Sequence, residues 1–182
     1  ESHAIMAIVQ RYSGELIQQV SVGEAYMDVS AKFQADTHDA SLELAVPLAH
    51  EIKATIKRER GLTATIGIAP NKLLSKLASD YQKPDGLTLI RESEKVAFLR
   101  PLPVRSLHGI GKVTEQTLHN AGVKTVADLQ DYKGDLRAIV GSWGPELKRF
   151  AYGDDNRPLE LGDDIKSISS ENTFLKDTDD RP

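Results

Sequence analysis

Three short stretches hold residues whose types and spacing could do chemistry. In SVGEAYMDVS, residues 21–30, apolar and polar residues alternate as in a half-buried strand. The carboxylate of Glu24 sits at its centre, with Gly23 just before it and Asp28 four residues on. Grouped carboxylates are the chemistry that holds hard divalent cations such as Mg2+. On a single strand, Asp28 shares a face with Glu24 but stands about 13 Å away at roughly 3.3 Å per residue, so the two cannot share one ion. Alone, Glu24 reads most simply as a solvent-facing carboxylate paired with a lysine. The second stretch, Gly109-Ile110-Gly111-Lys112, puts two glycines around one apolar anchor ahead of a helix. Amides at such a helix start can take a phosphate oxygen, with the Lys112 charge beside them. The third is KPDG, residues 83–86, a turn whose Lys83 reads by default as a solvated surface charge.

The elements that must position these residues follow from hydrophobic period and breaker residues. Ile5, Ile8 and Val9 fall at helical spacing over residues 3–11, with Gly14 as the stop. Residues 16–30 read as strand. Leu44, Leu48, Ile52 and Ile56 form one apolar stripe, which Pro47 must either kink or begin, and Gly61 ends it. Residues 62–69 are β-branched and compact, as in a buried strand, and 72–79 read as helix. Residues 87–90 form a short strand. From about residue 92 short helices alternate with glycines: 103–107, 113–120 and 145–152. A second turn, Asn120-Ala121-Gly122-Val123, closes the middle helix in a left-handed conformation. The opening residues already read as helix interior, so a longer protein is expected upstream.

Bulk properties narrow the classes. The 182 residues, 40% hydrophobic, suffice for one core or two small domains. Without cysteine there is no disulfide framework and no thiolate metal site, which suits a reducing compartment. No apolar run approaches bilayer length. The net charge of −4 is spread without a basic patch. Affinity for nucleic acid must therefore come from backbone amides and a few placed lysines and arginines. His3, His38, His50, His108 and His119 lack metal-ligand spacing, and Trp143 between Gly141 and Gly144 reads as core.

Together, four ordered blocks resemble the Y-family, or translesion, DNA polymerases of the DNA polymerase IV type. SVGEAYMDVS is similar to that family's SxDEAYLDV palm strand. GLTATIGIAPNKLLSKLASDYQKPDGLTLI, residues 61–90, is similar to its GLTxSxGIAxNKxLAKxASxxxKPxG block. LPVRSLHGIGKVTEQTLHNAGVKTVADL resembles its thumb, with a helix-hairpin-helix that grips the DNA backbone without reading bases. YGDDNRPLE and KSISSENTF resemble the thumb's end and the strand leading to the little finger. The resemblance implies an α+β fold: a partial palm over residues 1–95, a small all-helical thumb over 96–161, and a linker over 162–182 toward a little finger that lies outside the chain.

The activity implied is two-metal nucleotidyl transfer in DNA damage bypass, with Mg2+ as cofactor and primer–template DNA and a deoxynucleoside triphosphate as partners. Glu24 matches the family's catalytic strand glutamate, and Lys83 matches its triphosphate-binding turn lysine. Gly109, Ile110, Gly111 and Lys112 match its DNA-binding hairpin. Gly23 falls where the family places a metal aspartate, so this ligand is missing, and the third carboxylate belongs to an N-terminal strand outside the chain. One carboxylate cannot hold two ions of combined charge +4, so no polymerisation is expected from this chain alone. A second reading is a catalytically silent relative that binds DNA or acts as a scaffold in damage tolerance. An unrelated repair protein with one such hairpin would leave residues 61–90 unexplained. A monomer in the cytoplasm is expected, or in the nucleus of a eukaryote, without a membrane; contact with a sliding clamp stays open.

Overall fold

The computed structural model describes residues 1–161, which form an α+β fold; the KSISSENTF stretch lies outside them. Helix α1 (Ser2–Ser13) ends at Gly14, whose φ of 64° lies in the left-handed region that favours glycine. The expected strand over residues 16–30 is instead a hairpin: β1 (Ile17–Ser21) pairs antiparallel with β2 (Glu24–Met27). Val22 and Gly23 make the turn. The alternation misled because a two-residue loop leaves the pattern of apolar and polar positions nearly unbroken. It also explains Gly23, which is the weakest strand former in the stretch and lies in no strand.

The single expected stripe over residues 44–56 is divided at Ala45. Helix α2 (His38–Leu44) starts where the Thr37 hydroxyl accepts from the Ala40 amide, 3.1 Å away. Helix α3 (Val46–Arg60) starts with Pro47 in its first turn, where a missing amide proton costs no helical bond. Ile8 of α1 packs on Ile52 and Ile56 of α3, with Ile5, Val9, Tyr12, Met27 and Ile66 around them. Fully burying one such side chain stabilises by about 1.5–3 kcal/mol.

Strands β3 (Ile66–Ile68) and β4 (Leu87–Leu89) are parallel, and α4 (Lys72–Tyr81) is the crossover between them. Helix α4 lies directly on β3. A Cβ at Gly67 would stand 2.3 Å from the Ser75 carbonyl oxygen, so only glycine permits this approach. The KPDG turn has a cis Lys83–Pro84 bond and Asp85 at φ 59°.

The remaining described chain is helical: α5 (Lys95–Leu99), a 3-10 turn at Val104–Ser106, α6 (Lys112–Asn120), α7 (Val126–Asp131), α8 (Arg137–Val140), a second 3-10 turn at Gly141–Trp143 and α9 (Gly144–Ala151). A reciprocal cap between Thr125 and Asp128 fixes the start of α7. One apolar core joins this part to α4: Leu73, Leu74 and Ala78 pack with Ile90, Leu99, Val104, Leu107, Leu118, Val126, Leu129, Leu147 and Phe150. No described helix is long and apolar enough to cross a membrane.

Candidate functional site

Glu24 is the first residue of β2, and its side chain is 41% exposed. The Lys76 ammonium of α4 holds one carboxylate oxygen, and the Ser21 hydroxyl donates to the other at 3.3 Å. Lys76 also faces Asp80, one turn along α4, at 3.4 Å. Asp80 in turn pairs with Lys83 at 2.7 Å. The strand carboxylate and the turn lysine picked out in the sequence thus lie at the two ends of a single ladder, Glu24–Lys76–Asp80–Lys83. Its charges alternate and sum to zero. Burial alone would raise the Asp80 carboxyl, but Lys83 and Lys76 outweigh it and leave the group below its ordinary range. Burial likewise works against the charge on Lys76, and the hydrogen bond to Glu24 more than offsets it, so the ammonium is held more firmly than usual.

The strand register makes this docking possible. Gln18 stands opposite Tyr26, and Ser21 opposite Glu24, so Gln18, Tyr26 and Glu24 share one face of the hairpin. Tyr26 and Glu24 are two residues apart, roughly 6.8 Å along a strand. Lys72 and Lys76 are four apart, about 6 Å along a helix. The spacings match: the Lys72 ammonium lies 5.3 Å from the Tyr26 ring centroid, and Lys76 reaches Glu24. Burial, followed by the nearby Arg157 charge, pulls Lys72 below the usual lysine range. Burial pushes the Tyr26 phenol up. Tyr26, Lys72 and Lys76 do not stand out in the sequence, where each reads as an ordinary strand or helix-surface residue. The signal that could have found the pair of lysines is their four-residue spacing on a helix preceding the KPDG turn.

Asn71 caps α4, its Oδ1 accepting from the Leu74 amide at 3.0 Å. That helix start already holds an anion. Asp155 accepts from the Leu73 amide at 2.9 Å, and the Asp155 side chain is fully buried.

The glycine hairpin has the expected second half and a reduced first half, since a 3-10 turn replaces the helix expected over 103–107. Pro103 leads that turn from extended backbone, and only three residues wind before Leu107 is extended again. Gly109 has a φ of 92°, and a Cβ there would meet Trp143 Cζ2 at 2.8 Å. Trp143, packed on the core as expected, thus floors the turn. Ile110 is buried and anchors it. Gly111 is the opposite case: it has open space around its Cβ position and lies directly before α6. Gly111 and Lys112 are exposed, and no side chain caps α6, which leaves its first amides to solvent or a ligand. At the far end of α6 the Val123 amide returns to the Leu118 carbonyl at 2.9 Å, with Gly122 at φ 82°, as the second turn requires.

The residues described do not make a divalent-cation cradle. Among them no three acidic or histidine side chains gather into a metal-binding group. Gly23 offers no ligand, Glu24 is occupied by an ammonium, and Asp28 is turned to Ser30, accepting from its hydroxyl at 2.6 Å and its amide at 2.9 Å. Mg2+ does not fit this donor set.

Comparison with known proteins gives the context. Residues 1–80 match the model of the impB/mucB/samB family, and residues 96–123 match that of the IMS family HHH motif. The DNA polymerase IV of Stenotrophomonas maltophilia strain K279a is 43% identical over 177 residues, which is 97% of this chain and 47% of the relative. The DNA polymerase IV of Methanoculleus marisnigri is also 43% identical, over 98% of this chain and 48% of its own length. The chain therefore spans about half the length of the curated relatives it matches. Among solved structures, a Y-family polymerase chimera of Dbh and Dpo4 superposes with a TM-score of 0.75 at 32% identity, over 87% of this chain and 45% of that one. An insertion ternary complex of Dbh DNA polymerase gives 0.74 at 32% identity, over 87% and 45%.

Proposed function

We propose, from the premise that this chain belongs to the Y family of DNA polymerases, that it is the partial palm (residues 1–95) and thumb (96–161) of a translesion DNA polymerase. The observation that carries the reading is the ladder Glu24–Lys76–Asp80–Lys83. It aligns a strand carboxylate and a turn lysine along one face of α4, the two polar ends that a nucleotide site needs. Glu24 is the catalytic-strand carboxylate and Lys83 the triphosphate contact. Gly109, Ile110, Gly111 and Lys112 take the duplex backbone, with Ile110 as the anchor and the amides of Gly111 and Lys112 toward phosphate. Mg2+, primer–template DNA and a deoxynucleoside triphosphate belong to the whole protein. Residues 1–161 contribute binding and orientation but do not supply the ion cradle.

A second reading has a specific observation in its favour: Gly23 stands where a metal aspartate is expected, and Lys76 neutralises the remaining Glu24. On that reading the whole protein binds DNA in damage tolerance without copying it. Both readings expect the chain alone to bind duplex DNA weakly, without sequence preference, and to extend no primer. Fluorescence anisotropy with unrelated primer–template duplexes and a gel-based extension assay test this. Extension by the chain with Gly23 in place would overturn the metal argument. Extension by the full-length protein separates the working polymerase from the silent one.

A further inference from the structure

The polar face of the β1–β2 hairpin has no residue in the apolar core that α4 shares with α5–α9. Besides the contacts of Glu24 with Lys76 and Tyr26 with Lys72 of α4, the chain that leaves α9 reaches this face. The Gly153 and Asp154 amides return to the Phe150 and Arg149 carbonyls at 2.9 and 3.0 Å, and several polar groups of residues 153–160 then reach distant partners. The Gly153 carbonyl accepts from Asn71 Nδ2 at 2.8 Å, and Asp154 pairs with Lys95 at 2.7 Å. Asp155 caps α4 through the Leu73 amide, and takes Arg157 Nε at 2.8 Å and the Arg157 amide at 3.1 Å. Arg157 lies 5.4 Å from the Phe150 ring centroid, on the α9 core. Finally the Glu160 amide donates to Gln18 Oε1 at 3.0 Å. Gln18 is a buried polar residue of β1, on the same face as Tyr26 and Glu24.

We propose that residues 153–160 form a strap that sets the place of the Glu24 strand, and that Asp155 and Gln18 are positioning residues at its two ends. Asp155 ties the strap to the start of α4, and Gln18 ties the hairpin to the strap. The strap follows α9 directly, so the position of the Glu24 carboxylate is set from the end of the helical unit as well as from α4. Burying Gln18 without its partner would leave an unmet polar group, so the contact is specific as well as cohesive.

Hydrogen exchange of the 182-residue chain, read amide by amide, tests this without DNA or metal, so its failure would leave the polymerase reading untouched. In Gln18→Leu, which keeps the buried volume, and in Asp155→Ala, amides of residues 17–27 should exchange at least about tenfold faster. Amides of α6 and α9 should keep their protection. Unchanged protection of residues 17–27 in folded Gln18→Leu overturns the proposal. So does a loss in Asp155→Ala that is equal across the hairpin, α6 and α9, which would make Asp155 a residue of general stability. If Asp155→Ala does not fold, Gln18→Leu decides the matter alone.

Discussion

Lys76 supplies to Glu24 the positive charge that a metal ion would otherwise bring. The pair is half exposed, so its own contribution to stability is small, about 0–1 kcal/mol. Its consequence is for ligand choice, because a divalent ion must displace a tethered ammonium to reach a single carboxylate. Two substitutions reverse this. Gly23→Asp adds a ligand at a position with open space and no positive φ, so it should fold with stability unchanged to within about 0.5 kcal/mol. Lys76→Met removes the competing charge. We expect electron paramagnetic resonance to detect no Mn2+ held by the unaltered chain at micromolar concentrations. Each substitution should raise Mn2+ affinity about tenfold, with the double variant tightest. Equal Mn2+ binding in all four proteins would mean that Glu24 is not at the ion's position. The carboxylate itself was legible in the sequence through its strand pattern and its neighbours. Lys76 was not, because a salt bridge 52 residues apart leaves no local trace.

At the level of elements, the hairpin at 109–112 contains two glycines with opposite duties. Gly109 is structural: Gly109→Ala forces a side chain into left-handed backbone and against Trp143. It should lower stability by about 2 kcal/mol, read as a shifted urea midpoint. Gly111→Leu sets its Cβ in open space, so its urea midpoint should hold while duplex binding is lost. Unchanged binding in Gly111→Leu would remove this turn from the DNA interface. The strap gives a further expectation. Burial raises the Asp155 carboxyl, but hydrogen bonds from Arg157 and the Leu73 amide prevail, and the group sits below its ordinary value. A depressed carboxyl contributes stability above its unfolded value and loses it as pH falls through the folded one. The hairpin amides should therefore open in acid, below the usual aspartate range, while staying protected near neutrality. The sequence announced most elements wherever breakers were explicit: Gly14, Gly61, Pro47 and Gly122 each end or begin what they were expected to. It blurred the β1–β2 turn, because Val22-Gly23 preserves the alternation. It also overstated the helix before Leu107, where the chain has room for only three residues of 3-10 turn.

For the whole molecule, charge decides how DNA can be held. The chain carries a net charge of −4, and many of its best-placed lysines and arginines are paired internally. Lys76 and Lys83 face Glu24 and Asp80, Lys95 faces Glu92 and Asp154, and Arg157 faces Asp155. What remains for phosphate at the hairpin is Lys112 and the first amides of α6. A contact that neutralises about one phosphate through Lys112 gives a log–log salt slope of about −0.9, so raising salt from about 50 to 200 mM should weaken binding roughly three- to fourfold. A basic patch engaging six or more phosphates would instead lose about a thousandfold or more over the same range. Lys112→Ala should flatten the slope by about one unit and weaken binding to every duplex alike, since a phosphate contact carries no sequence information. A steep slope that survives Lys112→Ala would place the duplex on another surface. A slope near zero would mean that apolar contacts, starting with the 81%-exposed Val113 beside Lys112, hold the DNA instead.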